Sequence, residues 1–402
     1  MTTNHAFKIF NLPNIALKAV LSFMNPVEFI ALSLCTKNTN LICKNHRKTK
    51  KLKEQITNFQ LSFSCDNYLQ LQFKTASNYF DFKVIIQKFH NENHQKISEN
   101  LFSLDGLYFY NWIPLVSNNR YSKLWADDPT FVREYSILIY YAGDDVVHSF
   151  NTITTYLSDL FDVQPSFLSL NYKYLQDDLI SRIMDNYCNV HNFELKDDVN
   201  KDYKIVNYND QIIVSILKQQ DSTLQLKLLF NPPPEFTFDF NSLRNTPVLI
   251  EIEHSHWITW SQLLEIKSEN VYLCRSNFSN LDLKNLVQTW KNGWTPKWKW
   301  LMVQFKEDLD VDTLISERFM NIDLKDCQTS FILKDISTHA YKFRAEFHTF
   351  QGVTTKTGYH LTRPDHSIAT VTVENNRIGW FYMQSNEPNE KLITRVTKHA
   401  FY

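Results

Sequence analysis

The sequence predicts an α+β protein with three helices at the N-terminus, followed by a mixed domain of strands and helices. Apolar residues recur at helical spacing between residues 12 and 34, and apolar and polar residues alternate between 57 and 88. Short strand-like and helix-like segments then follow each other from residue 135 onward. The 402 residues allow two or three domains with sizeable cores. We expect a helical domain over 8–50, an antiparallel strand region over 55–135, and a strand–helix domain over 136–402.

The first helix is predicted over residues 12–24. Ile15, Val20 and Phe23 lie at helical spacing, and Pro13 stands where the first turn of a helix tolerates proline. Together with the next helix, this segment carries more apolar surface than so small a hairpin can bury on its own. It therefore needs a partner, which is either the rest of this chain or another protein.

A second helix is predicted to start at residues 25–28. Asn25 can accept hydrogen bonds from free backbone N–H groups, Pro26 suits a first turn, and Glu28 completes a capping-box pattern. A third short helix is expected after Thr36. The basic run between residues 44 and 53 is either a nucleic-acid-binding or nuclear-import segment or, as we favour, a solvated helix end and connector.

Residues 57–88 are predicted to form an antiparallel meander of three strands. Apolar side chains alternate with polar ones over 59–65, 69–73 and 80–86, and Asp66-Asn67 supplies a turn. The chain is expected to end in a β-hairpin, with strands at Ile368–Val373 and Ile378–Met383 and a turn at Asn375-Asn376. A further strand is expected at Tyr341–Phe347.

Between these regions, strands and amphipathic helices alternate. The later units recur at roughly 23 to 30 residues, the range of solenoid-like strand–helix repeats, and we describe them as leucine-rich-repeat-like in period only, since they lack a clean leucine-rich-repeat signature. The predicted strands are Tyr135–Tyr141, Phe167–Leu170, Leu224–Leu229, Val248–Glu253, Asn270–Arg275 and Trp298–Phe305. The predicted helices are Val147–Phe161, Leu175–Met184, Ser261–Ile266, Leu281–Trp290 and Val311–Phe319.

Composition excludes several classes of protein. The net charge of -1 gives no argument for nucleic acid or an anionic membrane as partner, and no apolar run reaches the length of a membrane span. The six cysteines are scattered without a Cys-x-x-Cys pair, which favours reduced thiols in the cytoplasm or nucleus. The six glycines allow no phosphate loop, dinucleotide fingerprint or nucleophile elbow. We expect no cofactor.

No local constellation predicts catalysis or a metal site. His90-Asn91-Glu92-Asn93-His94 has its glutamate in the wrong place for a zinc-protease helix. His254 and His256 would point to one face of a strand, but no Cys or acidic cluster completes a metal site. Asp-Asp pairs at 127–128, 144–145, 177–178 and 197–198 are typical of loops and helix starts.

Six of the nine tryptophans fall between residues 257 and 300. At that density large aromatic residues most often form core, which we favour, although an exposed tryptophan is a common anchor of protein interfaces. The candidates for target binding are therefore Trp257, Trp260, Trp294 and Trp298.

Residues 12–49 resemble an F-box, the helical motif that binds the Skp-type adaptor of cullin–RING (SCF) ubiquitin ligases. The resemblance rests on Leu12-Pro13 opening the first helix, on the spacing to Val20, Leu21 and Met24, and on the restart at residues 25–28, with Leu32-Ser33-Leu34 following. The third helix lacks the Trp that many F-boxes carry near its start.

The later part of the chain resembles the type 2 F-box-associated domain, which is typical of the large F-box family of nematodes. The similar segments are Trp257-Ile258-Thr259, Leu263–Ile266, Ser268–Val271, Leu281-Asp282-Leu283 and Trp300-Leu301. Arg363–Val371 resembles the closing hairpin of that domain, with Asp365-His366 where a Gly would be usual.

These resemblances imply a non-catalytic substrate receptor of an SCF-type ubiquitin ligase. The F-box would bind the adaptor, and through it the cullin–RING ligase, while the C-terminal domain would bind an unidentified protein target. The alternative is a protein-interaction module that acts without a ligase. The adaptor-binding residues implied are Leu12, Pro13, Ile15, Leu17, Val20, Leu21, Met24, Pro26, Ile30, Leu32 and Leu34.

Overall fold

The computed structural model divides the chain into two compact units, Met1–Leu170 with Tyr174–Ile183, and Asn171–Lys173 with Met184–Tyr402. The three N-terminal helices therefore share a unit with residues beyond the predicted boundary at 135. The residues described are 11–24, 26–47, 56–74, 79–88, 102–104, 107–110, 117–125, 128–141, 145–199, 201–202, 204–309, 319–322, 340–348, 354–363, 365, 367–374 and 376–383.

The first unit begins with three helices and continues with a sheet. The helices are α1 (Asn14–Phe23), α2 (Pro26–Cys35), α3 (Lys37–Arg47) and, later in the chain, α4 (Val146–Phe161). The strands are β1 (Ile56–Phe63), β2 (Asn67–Lys74), β3 (Tyr79–Lys88), β4 (Phe102–Leu104), β5 (Leu107–Tyr110), β6 (Ser117–Trp125), β7 (Asp128–Tyr141) and β8 (Phe167–Asn171). The three N-terminal helices lie where the sequence predicts them.

The sheet of the first unit is mixed. Strand β1 pairs antiparallel with β2, and β2 pairs antiparallel with β3. However, β1 also pairs in parallel with β8, and β3 pairs in parallel with β7. Strands β5 and β6 pair antiparallel with β7, and β4 pairs with β5. Strands β1, β2 and β3 thus pair antiparallel in sequence order, and their parallel partners β8 and β7 come later in the chain, joined by long connections that leave no local turn signal.

One face of this sheet is buried by α4. Phe63 of β1 and Phe150 of α4 are both fully buried, with ring centroids 4.2 Å apart. Phe73 of β2 lies edge-on to Phe161 of α4 at 5.4 Å. Both strands therefore place an aromatic side chain against the same helix.

The second unit contains a parallel sheet followed by antiparallel strands. Helix α5 (Asp177–Tyr187) leads into it. Its elements are β9 (Asn192–Lys196), α6 (Ile212–Gln219), β10 (Gln225–Leu229), β11 (Leu249–Ile252), α7 (Trp260–Glu265), β12 (Asn270–Leu273), α8 (Asn280–Lys291), β13 (Trp300–Gln304), β14 (Phe319–Ile322), β15 (Ala340–His348), β16 (Thr354–Thr362), β17 (Ile368–Glu374) and β18 (Ile378–Met383).

Strands β9 to β13 pair in sequence order and in parallel. Strand β18 pairs antiparallel with β13, and β17, β16 and β15 extend the sheet antiparallel from it.

The sequence did not predict β9, α6, β14 or β16. Residues 311–318 of the predicted helix Val311–Phe319 lie outside the described part of the chain, and Phe319 is the first residue of a strand.

Two consecutive units of this sheet use the same turn after the strand. Ser255 donates from its backbone N–H and its hydroxyl to the carbonyl of Cys274, at 2.9 and 2.7 Å. Ser276 donates in the same way to the carbonyl of Gln304, at 3.2 and 2.7 Å. A capping box then starts each following helix, at Thr259 for α7 and at Ser279 for α8. The 249–266 and 270–287 segments are therefore two copies of one strand–turn–helix unit.

A buried arginine joins the β16–β17 turn to the end of α8. Arg363 is 6% exposed and donates from Nη1 to the carbonyls of Trp290 and Trp294, at 3.1 Å each. Its Nε donates to the Asp365 carboxylate at 3.0 Å, and Asp365 also accepts from the backbone N–H of Ser367. Asp365 thus links the guanidinium of Arg363 to the backbone of the turn.

Candidate functional site

Helix α1 presents large apolar side chains to solvent. Ile15 is 86% exposed and Phe23 is 89% exposed. The helix is closed at its start by a hydrogen bond from the Leu17 N–H to the Pro13 carbonyl, at 2.9 Å. In α1 only Leu21 is buried. Helix α1 is short, and its large apolar side chains Ile15 and Phe23 are not covered by the rest of the chain.

Helix α2 is buried on its inner face by α4. Phe29 and Ile30 are each 2% exposed. The Phe29 ring lies 6.2 Å from the ring of Phe161 of α4 and 6.4 Å from the imidazole of His46 of α3. Because Phe161 also contacts Phe73 of the sheet, a continuous row of rings runs from α2 through α4 to β2.

Polar contacts reinforce this interface. The Ser33 hydroxyl of α2 shares a hydrogen bond with the Tyr156 hydroxyl of α4. Burial raises the pKa of Tyr156 well above its ordinary range, so the phenol stays protonated. Lys44 of α3 forms an ion pair with Asp159 of α4, in which the carboxylate is largely exposed. The exposed pair contributes little to stability, whereas the Ser33–Tyr156 bond specifies how the helices meet.

Helix α3 is capped by two threonines that bond each other. The Thr39 N–H donates to the Thr36 hydroxyl at 3.1 Å, and the Thr36 N–H donates to the Thr39 hydroxyl at 2.9 Å. Further along, Cys43 is fully buried, and burial raises the pKa of its thiol to about 12. Leu41 faces outward and is 57% exposed. The α3 helix thus has one face toward α2 and α4 and one toward solvent.

Helix α4 owes its start to an acidic cap. Asp145 accepts a hydrogen bond from the His148 N–H at 2.9 Å and forms an ion pair with Arg182. These contacts hold the pKa of the Asp145 carboxyl below its ordinary value, the backbone hydrogen bond contributing most. The expectation that the Asp-Asp pair at 144–145 supplies a helix cap is confirmed for Asp145.

The structure separates the eleven predicted docking residues into groups. Pro13 and Ile15 are exposed, and Leu21 and Ile30 are buried inside the first unit. Pro26 is the first residue of α2. The half-buried remainder consists of Leu12, Leu17, Val20, Met24, Leu32 and Leu34. The apolar surface of the three helices therefore divides into two parts. One part faces α4 and is buried, and the other part remains exposed to solvent.

Sequence reasoning missed two members of the open face, Phe23 and Leu41. Both lie in segments that were predicted helical, but helical periodicity alone does not show which stripe the rest of the chain covers. It also missed Phe29, whose partner Phe161 is far away in sequence. We use the name exposed apolar cluster for Ile15, Phe23 and Leu41, the large hydrophobic residues of the three helices that are more than half exposed.

The tryptophan candidates behave mainly as core. Trp257 is 4% exposed and stacks on Phe240 at 6.0 Å. Trp298 is 1% exposed and lies edge-on to Phe381 at 5.7 Å. Trp260 and Trp294 are half-buried. Trp298 precedes β13 rather than belonging to it, so the predicted strand Trp298–Phe305 starts two residues too early.

The histidine motifs do not assemble a metal site in the described residues. His254 and His256 lie beyond the end of β11 rather than on a strand, and His256 Nε2 donates to the Pro232 carbonyl at 3.2 Å. Across the described ranges, no group of three His, Cys, Asp or Glu side chains is arranged to hold a metal ion. The His90–His94 segment lies outside those ranges.

Among the helices of the described residues, none combines the length and apolar character needed to span a bilayer. Residues 9–51 match the family model of the F-box domain. That match covers all three N-terminal helices. Neither the curated proteins nor the solved structures include a match to this chain.

Proposed function

We propose that this chain is the substrate-recognition subunit of an SCF-type ubiquitin ligase. The F-box domain at 9–51 implies binding to a Skp-type adaptor, and F-box proteins are typically non-catalytic adaptors. The single observation that carries the proposal is the exposed apolar cluster on that domain. Ile15 and Phe23 are each more than four-fifths exposed, which leaves their burial to a partner.

In this function, the second unit holds the target protein while the first unit holds the adaptor. Attachment to the ligase would raise the effective concentration of the target near the ubiquitin-charged enzyme. The resemblance of the later segments to the type 2 F-box-associated domain of nematodes supports a target-binding role for the second unit. Scattered cysteines and near-neutral charge support a location in the cytoplasm or nucleus.

The test is co-purification of the full chain with a Skp-type adaptor. Burying a Phe or Ile side chain contributes about 1.5–3 kcal/mol, so Phe23→Asp or Ile15→Asp should weaken adaptor binding at least about tenfold. Because both side chains are exposed, neither change should disturb folding. Tyr208→Asp is the matched control, since Tyr208 is 74% exposed in the second unit.

If the wild-type chain binds the adaptor and both variants bind it equally well, the exposed apolar cluster is not the docking surface. No binding of the wild-type chain at all would leave the alternative, an interaction module that works without a ligase.

A further inference from the structure

The two repeated strand–turn–helix units differ at several positions, including the residue directly before the turn serine. Their turn serines and their buried aromatics, Trp257 and Phe278, recur at equivalent places, and a helix cap follows shortly after each serine. At the residue before each serine, however, one copy has His254 and the other has Arg275. Residue types that both copies share maintain the common fold. A residue type found in only one copy can therefore have a separate role, such as binding.

Arg275 adopts a backbone conformation that its residue type disfavours. Its φ is 49°, in the left-handed region. The other described non-glycine residues with positive φ are Asp162 and Asn376, whose residue types tolerate that region. The Arg275 N–H donates to the Gln304 side-chain oxygen at 2.9 Å, which holds the turn in place. Glycine would adopt this backbone conformation without strain, so the backbone itself gives no reason for an arginine at this position.

The guanidinium of Arg275 is oriented by two neighbours. Nη2 lies 3.0 Å from the Glu253 carboxylate, and Nη1 donates to Nε2 of His254 at 2.8 Å. An imidazole nitrogen that accepts this bond is unprotonated, and burial together with the Arg275 charge lowers the pKa of His254. His254 is therefore a neutral hydrogen-bond acceptor that orients the Arg275 guanidinium.

Much of the guanidinium remains available. The Arg275 side chain is 56% exposed, against 38% for Glu253. A guanidinium has five N–H donors, and these two contacts leave the others for a partner. The ion pair with Glu253 also shows that the Arg275 guanidinium, in this orientation, can bind a carboxylate. The site lies just beyond the carboxyl ends of β11 and β12.

We infer that Arg275 is the anchoring cation of a surface that binds an acidic polypeptide segment, through a carboxylate side chain of that segment. The inference rests on the proposed function, because it places target recognition on the second unit. A strained, exposed and pre-oriented residue of this kind is typical of binding sites, where strain persists because function requires the side chain.

The test uses the full chain and two fluorescent decapeptides, one alternating Glu and Gly and one alternating Gln and Gly. A charge-assisted hydrogen bond contributes about 1.5–3 kcal/mol, so the Glu peptide should bind at least about tenfold tighter. Arg275→Gly should abolish that preference while leaving the melting temperature unchanged or higher. Glu253→Gln should tighten binding of the Glu peptide, because it removes the competing carboxylate.

Equal binding of the two peptides, or a preference that survives Arg275→Gly, would overturn the inference. So would a melting temperature lowered by Arg275→Gly, because that result would assign the arginine to the fold. Binding of a phosphoserine peptide without binding of the Glu peptide would overturn the carboxylate assignment. Adaptor co-purification of Arg275→Gly reports separately on the proposed function and should be unchanged.

Discussion

The ring of Phe29 in α2 lies 6.2 Å from the ring of Phe161 at the end of α4, and both side chains are buried. This contact joins the F-box to a helix that also covers the sheet of the first unit. The F-box is therefore built into its unit, so the rest of this chain supplies the partner for part of the apolar surplus. Its outer face stays open while its inner face is part of a core.

Phe29→Ala should destabilise the chain. Removing a fully buried Phe costs about 3–5 kcal/mol, through lost burial and the cavity left behind. Chemical denaturation followed by circular dichroism measures the free energy of unfolding. The matched control is Phe23→Ala, which should change that free energy by no more than about 0.5 kcal/mol, because Phe23 is exposed. Equal effects of the two substitutions would contradict the packing described.

Deleting residues 1–50 should uncover α4. The inner faces of Tyr156 and Phe161 would then meet water, and the first unit would lose the aromatic row that α2 completes. We expect increased binding of a hydrophobic dye and aggregation in size-exclusion chromatography. A monomeric truncated chain with native dye binding would show that the F-box is separable after all.

Arg363→Met should destabilise the second unit. The substitution removes the hydrogen bonds that Arg363 donates to the Asp365 carboxylate and to the carbonyls of Trp290 and Trp294. Because the Asp365 side chain is 54% exposed, the main cost is that of the lost hydrogen bonds to buried backbone carbonyls, about 1–3 kcal/mol. The melting temperature measures the effect. Arg377→Met is the control, since its ion pair with Asp308 is exposed and should contribute little.

Asp145 should make the stability of the first unit depend on acid pH. The pKa of its carboxyl is lowered in the folded chain, chiefly by the hydrogen bond from the His148 N–H and then by Arg182. The stabilisation is thus complete above the ordinary carboxyl pKa and is lost as the pH falls through the lowered one.

Asparagine also caps helices, so Asp145→Asn isolates the charge. At neutral pH the wild-type chain should be more stable by about 0.3–1 kcal/mol, the usual effect of an acidic group at a helix start. This difference should vanish in strongly acidic solution. Denaturation curves of both chains across that range test it, and a difference that persists unchanged would contradict the assignment.

Several elements were predictable because their signals are local. The spacing of Ile15, Val20 and Phe23 indicated α1, and the acidic pairs marked the starts of α4 and α5. Strand β9 was missed because its five residues alternate two charges with two apolar side chains over too short a span. Helix α6 was missed because apolar residues such as Ile212, Ile213 and Val214 follow each other without a clear helical stripe.

The sequence by itself determined that the chain begins with an F-box of three helices carrying more apolar surface than they can bury alone. Helical periodicity and capping act between neighbouring residues, so a local pattern contains them. Only the tertiary structure decided which part of that surface stays open, because α4 is encoded a hundred residues later. The same holds for Arg363 and Arg275, whose partners in the fold come from other strands and helices. Contacts between residues that are distant in sequence depend on packing and desolvation in the folded chain. A local sequence pattern does not contain that information.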